Sequence, residues 1–248
     1  GTFNAFAEHL PRLKEMGIDI LWLMPIHPIG EKNRKGSLGS YYSVKDYQAV
    51  NPEFGNIEDF RTLVEKVHEL DMYIILDWVA NHTAWDNELI NEHPDWYKKD
   101  STGEFVSPFD WTDVVSLDYE NPEVREYMKN ALVYWVEEEN IDGYRCDVAG
   151  LVPTDFWENA RAALDSIKPV FMLAEAEETD HHIRAFDMSY AWEMHHVMNK
   201  IAAGEMNANN IHETLTKNIE RFPEGSYRMQ FTSNHDENSW NGTVYERL

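Results

Sequence analysis

Three acids stand where short apolar runs end. Asp147 closes the run Gly143-Tyr144-Arg145-Cys146, and Glu175 follows the run 170–174. Asp236 lies in Thr232-Ser233-Asn234-His235-Asp236-Glu237-Asn238, just past the run 227–231. A fourth run, 72–76, leads into Asp77-Trp78-Val79-Ala80-Asn81-His82. One acid at a strand end is weak evidence, because caps of following helices look the same. Three carboxylates accompanied by Arg145, His82 and His235 are harder to dismiss. Such a cluster can do two kinds of chemistry. It can hold a divalent cation, which takes several oxygen ligands, or it can cleave a glycosidic bond, which takes one carboxylate and one carboxylic acid across the bond. Arg145 precedes Asp147 by two residues, so on a strand both side chains share a face. A guanidinium there keeps Asp147 ionised, as a nucleophile requires, and competes with a metal cation, so it favours glycoside cleavage.

Acids so far apart in sequence meet only if the fold brings the strand ends together. The apolar runs 18–24, 72–76, 143–146, 170–174, 186–190 and 227–231 read as strands. Between them lie helical patterns over 3–16, 57–70, 122–139, 154–167 and 210–221. Asn56, Asn121 with Pro122, and Pro153-Thr154 are start signals, and Gly17 is a stop. Strand alternating with helix is the pattern of a parallel α/β sheet. The strands are apolar throughout, as strands buried on both faces are. A doubly wound sheet and a β/α barrel both fit this rhythm; in a barrel every strand's carboxyl end opens on one face, where active sites are built. The stretch 83–117 interrupts the rhythm and reads as a functional insertion.

The chain's 248 residues allow one large domain with a substantial core. Its 45 acidic against 21 basic residues give a formal charge of −24, a field that repels phosphate backbones and anionic lipid. Nucleic acid and membrane partners are therefore not expected, while a neutral ligand such as a sugar is compatible. The nine Trp and twelve Tyr supply flat faces suited to sugar rings as well as to a core. Cys146 is the only cysteine, so no internal disulfide forms, and it reads as a packed core thiol. No signal peptide is visible, and secreted, periplasmic and cytoplasmic locations all stay open. His181-His182 and His195-His196 point apart on a helix and do not make a zinc site.

With these motifs in order, the sequence resembles the alpha-amylase family of glycoside hydrolases, glycoside hydrolase family 13. Four regions carry the resemblance: Asp77-Trp78-Val79-Ala80-Asn81-His82; Gly143-Tyr144-Arg145-Cys146-Asp147-Val148-Ala149; Leu173-Ala174-Glu175-Ala176; and Phe231-Thr232-Ser233-Asn234-His235-Asp236. Tyr42-Ser43-Val44-Lys45-Asp46-Tyr47 and Asn51-Pro52-Glu53-Phe54-Gly55 also resemble the family's loop after strand two. The resemblance implies a TIM-type (β/α)8 barrel, of which residues 1–248 would carry strands two to seven, with 83–117 as a short subdomain inserted after strand three. Strand one, strand eight with its helix, and any C-terminal β domain are then expected outside this stretch, and the stretch alone is expected to be poorly soluble or inactive.

The resemblance also implies roles. Asp147 would be the nucleophile, Glu175 the general acid/base, and Asp236 a stabiliser of the oxocarbenium-like transition state. Arg145 would orient Asp147, His82 and His235 would hydrogen-bond the sugar beside the cleaved bond, Tyr42 would stack on that ring, and Asp77 would support Arg145. Asn81 and Asp118 match positions where many members bind a structural Ca²⁺; the chemistry itself would need no cofactor. Ala149-Gly150 departs from the Lys-His pair that many alpha-amylases carry after the nucleophile. The implied activity is retaining hydrolysis of α-1,4-glucans or maltooligosaccharides. Its alternatives are a transglycosylase or disaccharide isomerase of the same family, and a catalytically silent glycan-binding homologue.

Overall fold

The computed structural model describes residues 1–247; Leu248, the last residue of the expected catalytic stretch, lies outside the described residues. Eight strands are present among them: β1 (Ile20–Leu23), β2 (Tyr73–Trp78), β3 (His82–Ala84), β4 (Val114–Ser116), β5 (Gly143–Cys146), β6 (Phe171–Ala174), β7 (Met188–Tyr190) and β8 (Tyr227–Met229). Six of them, in the order β1-β2-β5-β6-β7-β8, form one sheet whose every pairing is parallel. These are the six runs read from sequence. β3 and β4 pair antiparallel across the inserted stretch, which also carries the short helices Leu89–Glu92 and Pro94–Trp96.

The sheet curls. In a flat sheet, four steps of about 4.8 Å would put β1 about 19 Å from β7. Instead the rings of Trp22 on β1 and Tyr190 on β7 lie 6.5 Å apart, edge to face. This is an arc of a (β/α)8 barrel, with β1 and β8 as its two open edges among the described residues. β2, β5 and β6 are buried almost along their whole length, as strands covered on both sides must be. Gly143 opens β5 at a φ of +148°, and a Cβ there would lie 1.9 Å from the carbonyl oxygen of Phe171, so only glycine lets β5 meet β6.

Two helix starts show the local chemistry plainly. The helix Ile57–Glu69 begins at a full capping box, with the Asn56 side chain on the Asp59 amide and the Asp59 side chain on the Asn56 amide. Asn121 caps Pro122–Glu137, whose first residue needs no donor because it is proline. The pattern over 3–16 is corrected: it forms two helices, Phe3–Ala7 and Leu10–Glu15. Pro11 has no N–H to give the Ala7 carbonyl, and its ring crowds that carbonyl, so the helix breaks one turn earlier. Gly17, at a φ of +84°, ends the second helix as expected. The helix Trp192–Ala202, between β7 and β8, was not foreseen as an element, and the segment after β8 turns into the helix His235–Trp240.

Candidate active site

Strand register assembles the centre. Asp77 on β2 is level with Arg145 on β5, and Cys146 is level with Ala174 on β6. Asp147 and Glu175 therefore leave neighbouring strands at the same height. The ladder holds them there: the Asp147 amide donates to the Trp78 carbonyl at 2.9 Å, and the Glu175 amide to the Cys146 carbonyl at 3.0 Å. Cys146 itself is buried in the core.

One guanidinium ties the acids together. Arg145 is fully buried; its Nη1 donates to Asp77 Oδ1 and to Asp147 Oδ1, each at 2.9 Å. Its Nη2 forms an ion pair with Glu175 Oε1 at 2.7 Å, and its Nε donates to the Tyr190 hydroxyl at 3.2 Å. Asp77 gains two further donors, Trp22 Nε1 at 3.1 Å and the Tyr42 hydroxyl at 2.9 Å. The second oxygen of Glu175 accepts the Val148 amide at 2.8 Å.

Burial pushes the carboxyls of Asp77, Asp147 and Glu175 above their ordinary range, and Arg145 opposes it in each case. Burial also draws Arg145 down, but the three acids around it outweigh that and hold it charged. Three carboxylates against one cation would leave two uncompensated charges in a desolvated site, so the cluster favours keeping a proton. Asp77 has three hydrogen-bond donors, from Arg145, Trp22 and Tyr42, which favour its carboxylate against burial. The expectation that Arg145 alone fixes Asp147 as an anion is thus refined: the guanidinium is shared.

Both acids open into a cleft of about 480 Å³ that Tyr42, His82, Trp111, Val148, Asp236 and Trp240 also line. His82 is buried, edge-on to Trp111 at 5.6 Å, and burial lowers it to about 4, so its ring is neutral. Asp236 sits in the first turn of the helix His235–Trp240, whose amide of Glu237 is capped by Asn234. His235 is not among the lining residues. Its Nε2 lies 2.8 Å from the Tyr42 hydroxyl and 3.3 Å from Asp236 Oδ2, and its ring stacks parallel to Tyr42 at 5.8 Å. The structure therefore gathers Asp147, Glu175, Asp236, Tyr42 and His82 at one cleft, buries Arg145 and Asp77 against its acids, and sets His235 against Tyr42.

Sequence reasoning missed Trp22 and Tyr190. Each lies within a run that reads simply as a buried strand, yet both face Arg145, with its guanidinium carbon 5.1 and 5.6 Å from their ring centroids. The inserted stretch contributes Asp110, Trp111, Asp113 and Val114 to the cleft, with Lys35 beside them, its Nζ 3.4 Å from Asp113; none of these side chains was singled out from the sequence.

Asn81 and Asp118 are neighbours, linked by the Leu117 amide on the Asn81 carbonyl at 3.1 Å. The Asn81 amide nitrogen faces His82 Nδ1 at 3.1 Å, and Asp118 Oδ1 accepts the Glu120 amide. That leaves one side-chain oxygen on each, against the six to eight that Ca²⁺ takes. Among the described residues no group of three or more His, Cys, Asp or Glu is placed to hold a metal. These residues by themselves do not fit the ion.

Comparison with known proteins places this arrangement. The family profile for the alpha amylase catalytic domain matches residues 1–114 and 88–245. The crystal structure of a maltogenic alpha-amylase from Thermotoga neapolitana superposes with a TM-score of 0.89 at 41% identity, covering 94% of this chain and 55% of that one. Alpha-amylase 3 of Dictyoglomus thermophilum is 31% identical over 216 residues, 75% of this chain and 41% of that protein. An alpha-1,4-glucan:maltose-1-phosphate maltosyltransferase of Cereibacter sphaeroides is 34% identical over 198 residues, 71% of this chain and 29% of that protein. The chain thus spans less than half the length of the curated relatives it matches. Among the described residues no helix is long and apolar enough to cross a membrane. With the profile covering nearly all its residues, the chain belongs to the alpha-amylase family.

Proposed function

We propose that this chain carries the catalytic centre of a retaining hydrolase of α-1,4-glucans or maltooligosaccharides. The observation that carries the reading is the pairing of Asp147 and Glu175 on the two nitrogens of one guanidinium, at the mouth of a shared cleft. Retaining enzymes need their two carboxyls close, roughly 5–5.5 Å apart; both acids here lie within 2.9 Å of the Arg145 guanidinium, which keeps them neighbours. In the proposed reaction an oxygen of Asp147 attacks the anomeric carbon. The glycosidic C–O bond breaks, and Glu175 gives its proton to the leaving oxygen. Glu175, now a carboxylate, takes a proton from water as the water oxygen displaces Asp147, which restores both groups. Asp236 stabilises the positive charge that develops on the sugar, and no cofactor is needed.

The relatives include both an amylase and a transferase whose name specifies maltose 1-phosphate. The lining of the cleft supports the former chemistry here. Of the acids lining the cleft, Asp147 and Glu175 are paired with the buried Arg145, while Asp110, Asp113 and Asp236 share the lining with one lysine, Lys35, already engaged by Asp113. A phosphorylated donor would meet like charge in a poorly screened site.

The test is Glu175→Gln in the full protein. Hydrolysis of maltooligosaccharides should fall by orders of magnitude while binding persists, and the product released by the parent enzyme should be the α-anomer when followed by NMR. Unchanged turnover, or a β-anomeric product, would reject the assignment.

A further inference from the structure

We propose that Tyr190 is a positioning residue that keeps the Arg145 guanidinium from following negative charge as it passes from Asp147 to Glu175 during the reaction; this rests on the hydrolase reading above. The need for such a brace follows from the counter-charges. Nη1 of Arg145 is shared by Asp77 and Asp147 at 2.9 Å each, and Nη2 meets Glu175 at 2.7 Å. These contacts all sit at the Nη end, and a cation among carboxyls is drawn to whichever carries the charge. Once Asp147 is esterified to the sugar it is neutral, and Glu175, having given up its proton, is the carboxylate. A guanidinium free to swing would then give Glu175 the hydrogen bond that Asp147 has released. That bond would favour the charged form of Glu175 and weaken it as the base that must next take a proton from water.

Tyr190 opposes that movement from the other end of the group. The Nε–H of Arg145 donates to its hydroxyl at 3.2 Å. A guanidinium is planar, so fixing the direction of Nε–H fixes the plane in which Nη1 and Nη2 lie. The phenol oxygen is uncharged, so its hold stays the same while charge moves between the acids. The oxygen is itself anchored. Tyr190 is fully buried on β7, level with Met229 on β8. Its ring is bounded by Trp22 at 6.5 Å and by Trp192 and Phe231 at 5.4 Å each. Phenylalanine would satisfy this packing equally well; only the hydroxyl reaches Arg145.

The test uses the full protein with Tyr190→Phe, which keeps the ring and removes the oxygen, and α-maltosyl fluoride as substrate. In the first step the C–F bond breaks as an Asp147 oxygen bonds to the anomeric carbon, and no proton is needed. In the second, Glu175 takes a proton from water as the water oxygen displaces Asp147. The variant should slow at the second step by roughly ten- to a hundredfold, the scale of one hydrogen bond to a charged group. It should therefore release one fluoride per enzyme in a burst before a slow steady rate. Azide attacks the intermediate without giving up a proton, so it should restore turnover of the variant, with maltosyl azide as product, and speed the parent far less. Fluoride kinetics like the parent's overturn the proposal. So does a variant that loses both steps equally with a lowered Tm and no response to azide, or one that fails to fold, because the hydroxyl then serves only the packing. A parent that cleaves neither α-maltosyl fluoride nor maltotetraose would instead reject the hydrolase reading, and this proposal with it.

Discussion

The amide of Val148, the residue after Asp147, donates to Glu175 Oε2 at 2.8 Å. The backbone that presents the one acid thus grips the other. Val148 does so at φ +37° and ψ +47°, the left-handed region. A β-branched side chain there costs about 1–2 kcal/mol, and it is the neighbouring contacts that impose the conformation.

Replacing Val148 with a residue at ease in that region should stabilise the protein. Asn tolerates it, so Val148→Asn is expected to raise Tm by roughly 2–4 °C, the shift that about 1 kcal/mol gives in a chain of this size. Val148→Gly should change Tm little, because the released strain is offset by Gly's larger unfolded-state entropy. Both keep the amide, so kcat/KM should stay within tenfold of the parent. Calorimetric scans of the two variants check this. A Tm lowered in both would show that the conformation carries no strain.

The chemistry was more legible in the sequence than its support. Asp147, Glu175 and Asp236 were readable because each ends an apolar run, and a strand end is a place where burial stops and side chains turn polar. Six strands were readable for the same reason. Trp22 and Tyr190 were not, since an aromatic residue within an apolar run looks alike whether it fills a core or braces a guanidinium; only the curl of the sheet brings them to Arg145. The break between the helices Phe3–Ala7 and Leu10–Glu15 was written in Pro11, whose missing donor the apolar periodicity masked. His235 was placed with the sugar by its motif, but Tyr42, almost two hundred residues earlier in the chain, takes up its Nε2.

Asp147→Asn should abolish turnover and yet make the fold more heat-stable. Burial, with repulsion from Glu175 and Asp77, raises the Asp147 carboxyl well above its ordinary value. A raised folded-state pKa stabilises the fold below the unfolded value, about 3.9, and that contribution is lost as pH rises through the folded value. The parent is therefore destabilised by this group at neutral pH and not at pH 4. The Tm of Asp147→Asn relative to the parent should accordingly be higher at pH 7 and should converge on it toward pH 4. A difference that is flat across this range would contradict the raised carboxyl.

The single proton that the proposed reaction places on the Asp147–Glu175 pair should shape the pH dependence of catalysis. Turnover needs one proton on the pair. Below the working range a second proton binds and attack by Asp147 stops; above it the shared proton leaves and Glu175 can no longer assist departure. Burial shifts Glu175 upward, so the alkaline limb of kcat/KM should lie above the ordinary carboxylate range of about 4.3. An α-maltosyl fluoride, whose leaving group departs without a proton, should lose most of that limb in glycosyl-enzyme formation. The same fluoride should be cleaved by Glu175→Gln far faster, relative to the parent, than maltooligosaccharides are. Equal losses on both substrates would remove Glu175 from the acid role.

The charge of the cleft makes a last expectation, about donors. Five carboxyl side chains line it, two of them paired with the buried Arg145, and the one lysine, Lys35, is shared with Asp113 at 3.4 Å. Two like charges about 4 Å apart repel by roughly 4 kcal/mol at an effective dielectric of 20, more than enough to outweigh one partly neutralised cation. Maltose 1-phosphate should therefore be a donor at least a hundredfold worse in kcat/KM than maltotetraose, and raising the ionic strength should narrow the gap because salt screens the repulsion. Lys35→Gln should widen it. Turnover of maltose 1-phosphate at the rate of maltotetraose, with a phosphate ion released, would show that Lys35 outweighs the acids and would move the protein toward the transferases among its relatives.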